Sequence, residues 1–377
     1  MTGPDTITIN ADIKARNRKR IYELLFSSPS LTKPELAAQL SLSLPTVHAN
    51  LSALLKDGLV RESGYRENTG GRNARDYSIV KDARAAVGLD ITMHHVTAVV
   101  VNVAGEIVDM IRLRRNFEFS DLYMQRLGLL VDQLIVQAGI PRNRILGVGL
   151  GVPGLVTEDC TRIFYGKILD FEGASVEDFS KYIDFHCALF NDAKAAGFAE
   201  FWRQTELQDA FYIMLSSNVG GAVYKGGGIF SGRNRCAGEV GHIKVDKHGP
   251  RCYCGQYGCL DCYCAATVLA SKYDGNLEAF FRDLNGGGAE AKLVWDDYLD
   301  HLARAVSTVR LLFDCPIIIG GYVGQYLDSW MDDLRKRIRA LDSFNTPLED
   351  VRTCRFKKES IAAGAALYFI NKFLESI

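Results

Sequence analysis

At 377 residues the chain exceeds one ordinary domain and suits two or three, and its 47% hydrophobic and 24% charged content excludes a disordered or fibrous polymer. The net charge of −1 is unevenly divided: residues 1–84 carry 13 Lys and Arg against 9 Asp and Glu (+4), and the remainder carries 31 against 36 (−5). No apolar run approaches the length that spans a bilayer, and the polar start MTGPDTITINADIKARNRKR lacks the apolar core of a secretory signal, so a cytoplasmic protein with no membrane partner is expected.

The basic first segment is a candidate for a polyanion partner. A first helical stretch puts Ile13, Ile21, Leu24 and Leu25 on one face. Thr32 then precedes KPELAAQL, with Pro34 and Glu35 where a helix start favours them. The run Pro45 to Lys56 spaces Val47, Leu51, Leu54 and Leu55 on a third helix that ends at Gly58, leaving Thr46, His48, Ala49, Asn50 and Ser52 more outward. LVRESGYRENTGGRNARDYSIV reads as two strands around a loop with Gly70 and Gly71, ringed by Arg66, Arg72 and Arg75. Three helices and a basic hairpin, over residues 1–80, outline a winged helix-turn-helix domain. Its third helix would read a major groove of double-stranded DNA through Ser43, Thr46, His48 and Asn50, while the three arginines contact phosphates or the minor groove. The bland alternative is a protein-interaction module whose arginines are a solvated face.

From residue 85 strands alternate with helices. VGLDITMHHVTAVVVNVAGEIV is a strand pair turning at Ala104-Gly105, and RILGVGLGVPGLV is a buried strand running into a Gly/Pro loop. AFYIMLSS, GGAVYKGGGIF and CPIIIGGYVG are further strands; EAKLVWDDYLDHLARAVSTVRLLF and ESIAAGAALYFINKFL are helices, and Gly286–Gly288 a loop. The class is α/β.

Five of the ten cysteines fall between Cys252 and Cys264, in a stretch that contains RCYCGQYGCLDC. A reducing compartment argues against a disulfide framework. A Cys-x-Cys turn with a third cysteine five residues on can wrap one zinc ion, its glycines permitting the tight backbone; a redox switch is the rival. The scattered Cys160, Cys187, Cys236, Cys315 and Cys354 are read as small buried apolar residues.

The motifs GVGLGVPGLV, NDAKAA at Asn191 to Ala196, AGEVGH at Ala237 to His242 and CYCGQYGCLD together resemble the ROK family of repressors and sugar kinases, over nearly the whole length. The resemblance implies a ribonuclease-H-like, actin-like hexokinase-type fold of two lobes behind the winged helix, with lobes at 85–190 (joined by the C-terminal helix 359–377) and 191–358, the latter carrying the zinc site and a dimer surface. It nominates His242 with Cys252, Cys254 and Cys259 as zinc ligands; the rival reading is that Cys262 or His248 replaces one of them. It nominates Asn191, Asp192, Glu239, His242 and Asp261 as sugar contacts, although the family usually has glutamate at the last position. Four protein ligands leave no open coordination position, so the zinc is structural or regulatory and orients His242 toward a sugar hydroxyl.

Asp192 matches the position of the family's general base, but the nucleotide side departs from the kinases. Asp90-Ile91-Thr92-Met93-His94 stands where kinases read D-x-G-G-T, Ser216-Ser217-Asn218-Val219-Gly220-Gly221-Ala222 where they read G-T-G-x-G-G-G, and Tyr322 where a third glycine is common. Backbone that must approach phosphates closely is thereby crowded. The expectation is a sugar-responsive DNA-binding transcriptional regulator, a repressor, acting as a homodimer or higher oligomer on an operator, with a sugar or sugar phosphate as effector and no catalytic residues. The alternatives are an ATP-dependent, glucokinase-like sugar kinase that also binds DNA, and a regulator controlled by a partner protein.

Overall fold

The structure, a computed structural model, describes residues 4–66, 74–204 and 206–377. The amino-terminal domain contains α1 (Pro4–Phe26), β1 (Leu31–Thr32), α2 (Lys33–Leu40), α3 (Leu44–Lys56), β2 (Val60–Arg66) and β3 (Ala74–Ile79), with sheet order β1-β3-β2. Thr32 and Glu35 form the capping box that starts α2: the Glu35 amide donates to Thr32 Oγ1 at 3.4 Å and the Thr32 amide to Glu35 Oε2 at 2.8 Å. Ile21, Tyr22, Leu25, Leu36, Val47, Leu51 and Leu54 bury its core. Ile13, expected on the same apolar face, is 51% exposed, so α1 buries apolar side chains only from about Ile21 onward.

Two five-stranded sheets follow. The first is built from β4 (Ala85–Ile91), β5 (His95–Asn102), β6 (Ile107–Arg114), then α4 (Asp121–Gln137), β7 (Ile145–Val152), the small pair β8 (Leu155–Val156) and β9 (Ile163–Tyr165), α5 (Val176–Ser180) and β10 (Cys187–Asn191). After α6 (Asp192–Phe201) come β11 (Ala210–Leu215), β12 (Val219–Lys225), β13 (Gly228–Phe230), α7 (Asp261–Cys264), α8 (Ala266–Ala270), α9 (Leu277–Asn285), α10 (Ala289–Phe313), β14 (Ile317–Gly320), α11 (Gly321–Gly324), α12 (Met331–Leu341), β15 (Val351–Thr353) and α13 (Ser360–Ser376). The sheet orders β10-β7-β4-β5-β6 and β15-β14-β11-β12-β13 have the same design: three antiparallel strands extended by two parallel ones. This is the two-lobed α/β fold expected, with a winged helix in front. GGAVYKGGGIF is two strands instead of one, because Gly226 (φ 60°) and Gly227 (φ 83°) turn the chain.

The C-terminal helix closes the first lobe by lying across β4, β5 and β7, and it also packs against α6. Its approach is close enough that a β-carbon at Gly88 would collide with the Ala362 carbonyl, which explains glycine inside a buried strand. The second lobe is filled by an aromatic cluster, with Trp295 stacked on Tyr298 at 5.2 Å and edge-on to Phe281. Of the scattered cysteines, Cys315 and Cys354 are buried, Cys160 and Cys187 half-buried, and Cys236 exposed, so the expectation of burial fails for the last. Among the described residues no helix is long and apolar enough to cross a membrane.

Candidate functional site

The last residue of β10, Asn191, caps α6 at the mouth of the inter-lobe cleft. Its Oδ1 accepts the Lys194 amide at 3.0 Å, and its Nδ2 donates to the Gly154 carbonyl at 3.1 Å and to Asp192 Oδ1 at 3.0 Å. That oxygen also accepts the Ala193 amide at 2.8 Å. One residue thus fixes the helix start, the Gly/Pro loop and the neighbouring carboxyl together. Burial pushes Asp192 up to about 7, aided by the nearby Glu239 and Asp90 charges and opposed by the amide bond. Burial likewise raises Glu239, against the pull of Lys194. Asn191, Asp192, Glu239 and His242 line one open cleft together with Gly154, Lys167, Asn218 and Tyr253. Side-chain amide, carboxyls and imidazole converging on a concave surface are what recognition of a polyhydroxylated molecule requires.

Below the cleft the cysteine run folds into a knot. One ligand atom from each of His242, Cys252, Cys254 and Cys259 lies within 4.8 Å of every other. The turn is tightened at Gly255 (φ 90°) and Gly258 (φ 67°), and Val245 donates to the Gly258 carbonyl at 2.9 Å. The Cys254 and Cys259 sulfurs are 3.7 Å apart. The edge of a tetrahedron of thiolates about 2.3 Å from a zinc ion is roughly 3.8 Å, so spacing and donor chemistry both fit the metal. Cys262 and His248, weighed as substitutes, fall outside this group. Burial lowers the His242 pKa, and Lys244 beside it acts in the same direction, which favours the neutral, ligating imidazole. Lys244 Nζ also donates to Cys259 Sγ at 2.9 Å. Sequence reasoning missed Tyr253, whose hydroxyl sits 3.2 Å from His242 Nε2; its position between two nominated ligands was the available signal.

Asp261 departs from its expected place. It is 7% exposed, does not line the cleft, and accepts the Val219 amide at 2.6 Å. A carboxylate one methylene shorter than glutamate stays under the loop and is held there by backbone. On the nucleotide side, Met93 and His94 are exposed, with His94 Nδ1 3.0 Å from Asn116 Oδ1, while Ser216 is buried and Asn218 turns into the sugar-side cleft.

In the winged helix, Ser43 caps α3, accepting the Thr46 amide at 3.3 Å, with the two hydroxyls 2.8 Å apart. His48 is exposed, its Nδ1 3.0 Å from Lys33 Nζ. Asn50 is a correction: expected outward, it is 2% exposed and donates to the Thr46 carbonyl at 2.9 Å, because α3 turns that position under the domain. Arg75 bonds both oxygens of Glu62, at 2.7 and 2.9 Å. Arg66 ends β2, and Arg72 lies outside the described residues.

Comparison with known proteins agrees with this architecture. A winged helix-turn-helix DNA-binding model matches residues 14–61, and the ROK family model matches residues 86–372. The DNA-binding transcriptional dual regulator NagC of Escherichia coli K12 is 24% identical, over 94% of this chain and 92% of its own. The xylose repressor of Bacillus subtilis 168 is 24% identical over 68% of this chain and 67% of its own. Among solved structures, a ROK family transcriptional regulator described as a homolog of E. coli MLC superposes with TM-score 0.73 at 19% identity, covering 97% of both chains. A ROK glucokinase from Streptomyces griseus, in complex with glucose and AMPPNP, superposes with TM-score 0.64 at 20% identity, covering 75% of this chain and 98% of that one. With the family model spanning most of its length, the chain belongs to the ROK family.

Proposed function

We propose that this chain is a sugar-responsive DNA-binding transcriptional regulator, a repressor, that works without phosphoryl transfer. The observation that carries the reading is the contrast within one cleft. Its polar side groups Asn191, Asp192, Glu239 and His242, whereas the stretches where the kinases carry phosphate-binding glycines have Met93, His94, Ser216 and Asn218 here. Full-length likeness to proteins named as a transcriptional dual regulator and a ROK transcriptional regulator supports the same conclusion.

Zinc is the metal that the knot's donor set and spacing favour, held by His242, Cys252, Cys254 and Cys259, and when bound it supplies a fixed imidazole orientation and no chemistry. The winged helix spans 1–80, one lobe 85–190 with 359–377, and the other 191–358. In a homodimer, two recognition helices meet half-sites one helical turn apart, with Ser43, Thr46 and His48 at base edges and Arg66, Arg72 and Arg75 at phosphates.

A sugar changes operator affinity only by its differential affinity for two conformations, so the sugar site needs a mechanical path to the DNA-binding domain. Helix α6 offers one. It begins at Asn191 and Asp192 in the cleft and ends at Trp202 and Arg203, where the Arg203 guanidinium lies 3.7 Å above the Phe26 ring of α1 and Trp202 meets that ring edge-on at 6.2 Å.

A thermal-shift screen of the full chain against xylose, N-acetylglucosamine, glucose and their phosphates tests the sugar site, since a ligand of the folded state raises apparent stability. A coupled assay with ATP and magnesium over the same panel tests the rival, a sugar kinase. Turnover at ordinary kinase rates removes the sensor-only reading, and stabilisation by none of these compounds removes the sugar.

A further inference from the structure

Where ROK kinases commonly carry a third glycine, Tyr322 projects from α11 of the second lobe toward the first. It meets a row of three side chains in strict cross-strand register: Asp90 on β4 pairs with Thr97 on β5, and Thr97 with Arg112 on β6, so all three share one face of the sheet. Asp90 is 1% exposed and Thr97 fully buried. Arg112 Nη1 donates weakly to Thr97 Oγ1 at 3.4 Å, and its guanidinium lies 5.1 Å from the Tyr322 ring centroid, within cation–π range. The Tyr322 hydroxyl is 3.5 Å from Asp90 Oδ2, at the outer limit of a hydrogen bond. Burial raises both partners, Asp90 up to about 7 and the Tyr322 phenol beyond its ordinary range, while Arg112 opposes the shift in each.

These contacts cross between lobes beside the sugar cleft, and Asp90 is near enough to Asp192 to raise its pKa. The cleft itself is shared: Gly154 comes from the first lobe, Asn191 stands at the boundary as the last residue of β10, and Asn218, Glu239 and His242 come from the second. We propose that Tyr322 and Arg112 are positioning residues, an internal clasp that ties the two lobes together without a nucleotide and thereby keeps the sugar-side cleft assembled. The role in sugar recognition rests on the regulator reading above; the clasp does not.

Amide hydrogen exchange on the ligand-free full chain separates the two. Tyr322→Leu is expected to speed exchange in residues 90–95 and 320–325 together, by roughly 2- to 30-fold, the range a lost cation–π contact commands. Arg112→Met should do the same from the other lobe, and the double variant should add little to either single one. Tyr322→Phe, which keeps the ring, should stay within about twofold of wild type, since the long hydroxyl contact carries little. Additive effects, or faster exchange confined to the substituted lobe, would overturn the clasp. Arg112 sits on an edge strand, so its variant decides the matter even if Tyr322→Leu does not fold. Failure of every sugar to bind would sink the regulator reading and leave this result intact.

Discussion

His242 turns its two ring nitrogens to different partners: Nδ1 faces Cys252 Sγ at 3.8 Å, and Nε2 faces the Tyr253 hydroxyl at 3.2 Å on the cleft side. An ion on the thiol side therefore sets which nitrogen is presented to the cleft. The full chain should purify with close to one zinc per protomer. Cys259→Ser, which removes a fully buried thiol, should lose the ion and weaken sugar binding at least tenfold. Elemental analysis beside titration checks both, and retention of zinc or of unchanged sugar affinity removes the assignment.

Asp192 makes stability depend on pH in a defined direction. Its carboxyl is raised by burial to about 7, so between about pH 4 and 7 the folded chain keeps a proton that the unfolded chain has released. Its contribution is most favourable below that window, and is lost as pH rises through 7. Asp192→Asn keeps an oxygen for the Asn191 and Ala193 donors and removes the buried charge. The variant should match wild type near pH 4 and be more stable at pH 8, on the order of 1–3 kcal/mol. Thermal melts across that range read the difference; equal melts at pH 8 would show that Asp192 is not desolvated.

The third helix distinguishes two neighbours that looked alike. His48 is exposed and Asn50 is buried against its own helix. His48→Ala should cost about 1–3 kcal/mol of specific operator affinity with the fold unchanged, as loss of one base contact does. Asn50→Ala should alter stability and leave base preference alone. Arg75, already paired with Glu62, should reduce the salt dependence of DNA binding by about one counterion or less when replaced by Ala. Binding titrations at several salt concentrations, on a selected operator and its point variants, separate these outcomes; a His48→Ala protein with unaltered preference would discard His48 as a reader.

The contrast between these residues also shows what the sequence made legible. Capping signals and periodicity carry short-range physics, so Thr32, Glu35 and the stripe Val47, Leu51 and Leu54 fell where expected. The clustering of His242, Cys252, Cys254 and Cys259 was legible because the four side chains span only 18 residues and their chemistry admits few partners. Asn50 was misplaced because a one-position change of helix phase, about 100°, turns a surface residue inward. Asp261 and Tyr253 depend on how two segments meet in space, and Tyr322 on a partner 232 positions away, which no local pattern encodes.

The junction between α6 and α1 carries the last prediction. Ten residues of helix, about 15 Å, separate the Asn191 cap from the Trp202 and Arg203 pair, and that pair grips Phe26 while Tyr22 beside it is buried. A helix of that length moves as a rod, so a shift at its capped end is carried to its far end, which bears on the Phe26 ring. Phe26→Ala should leave operator binding without sugar close to wild type while shrinking the sugar effect, typically 5- to 150-fold in coupled systems, toward unity. Arg203→Ala should do the same by removing the guanidinium from above the ring. Operator affinity with and without a sugar found by the thermal-shift screen measures the ratio directly; both variants keeping the full wild-type ratio would mean that the signal reaches the winged helix by another route, such as α13, whose Glu375 carbonyl accepts from Lys19 at 3.4 Å.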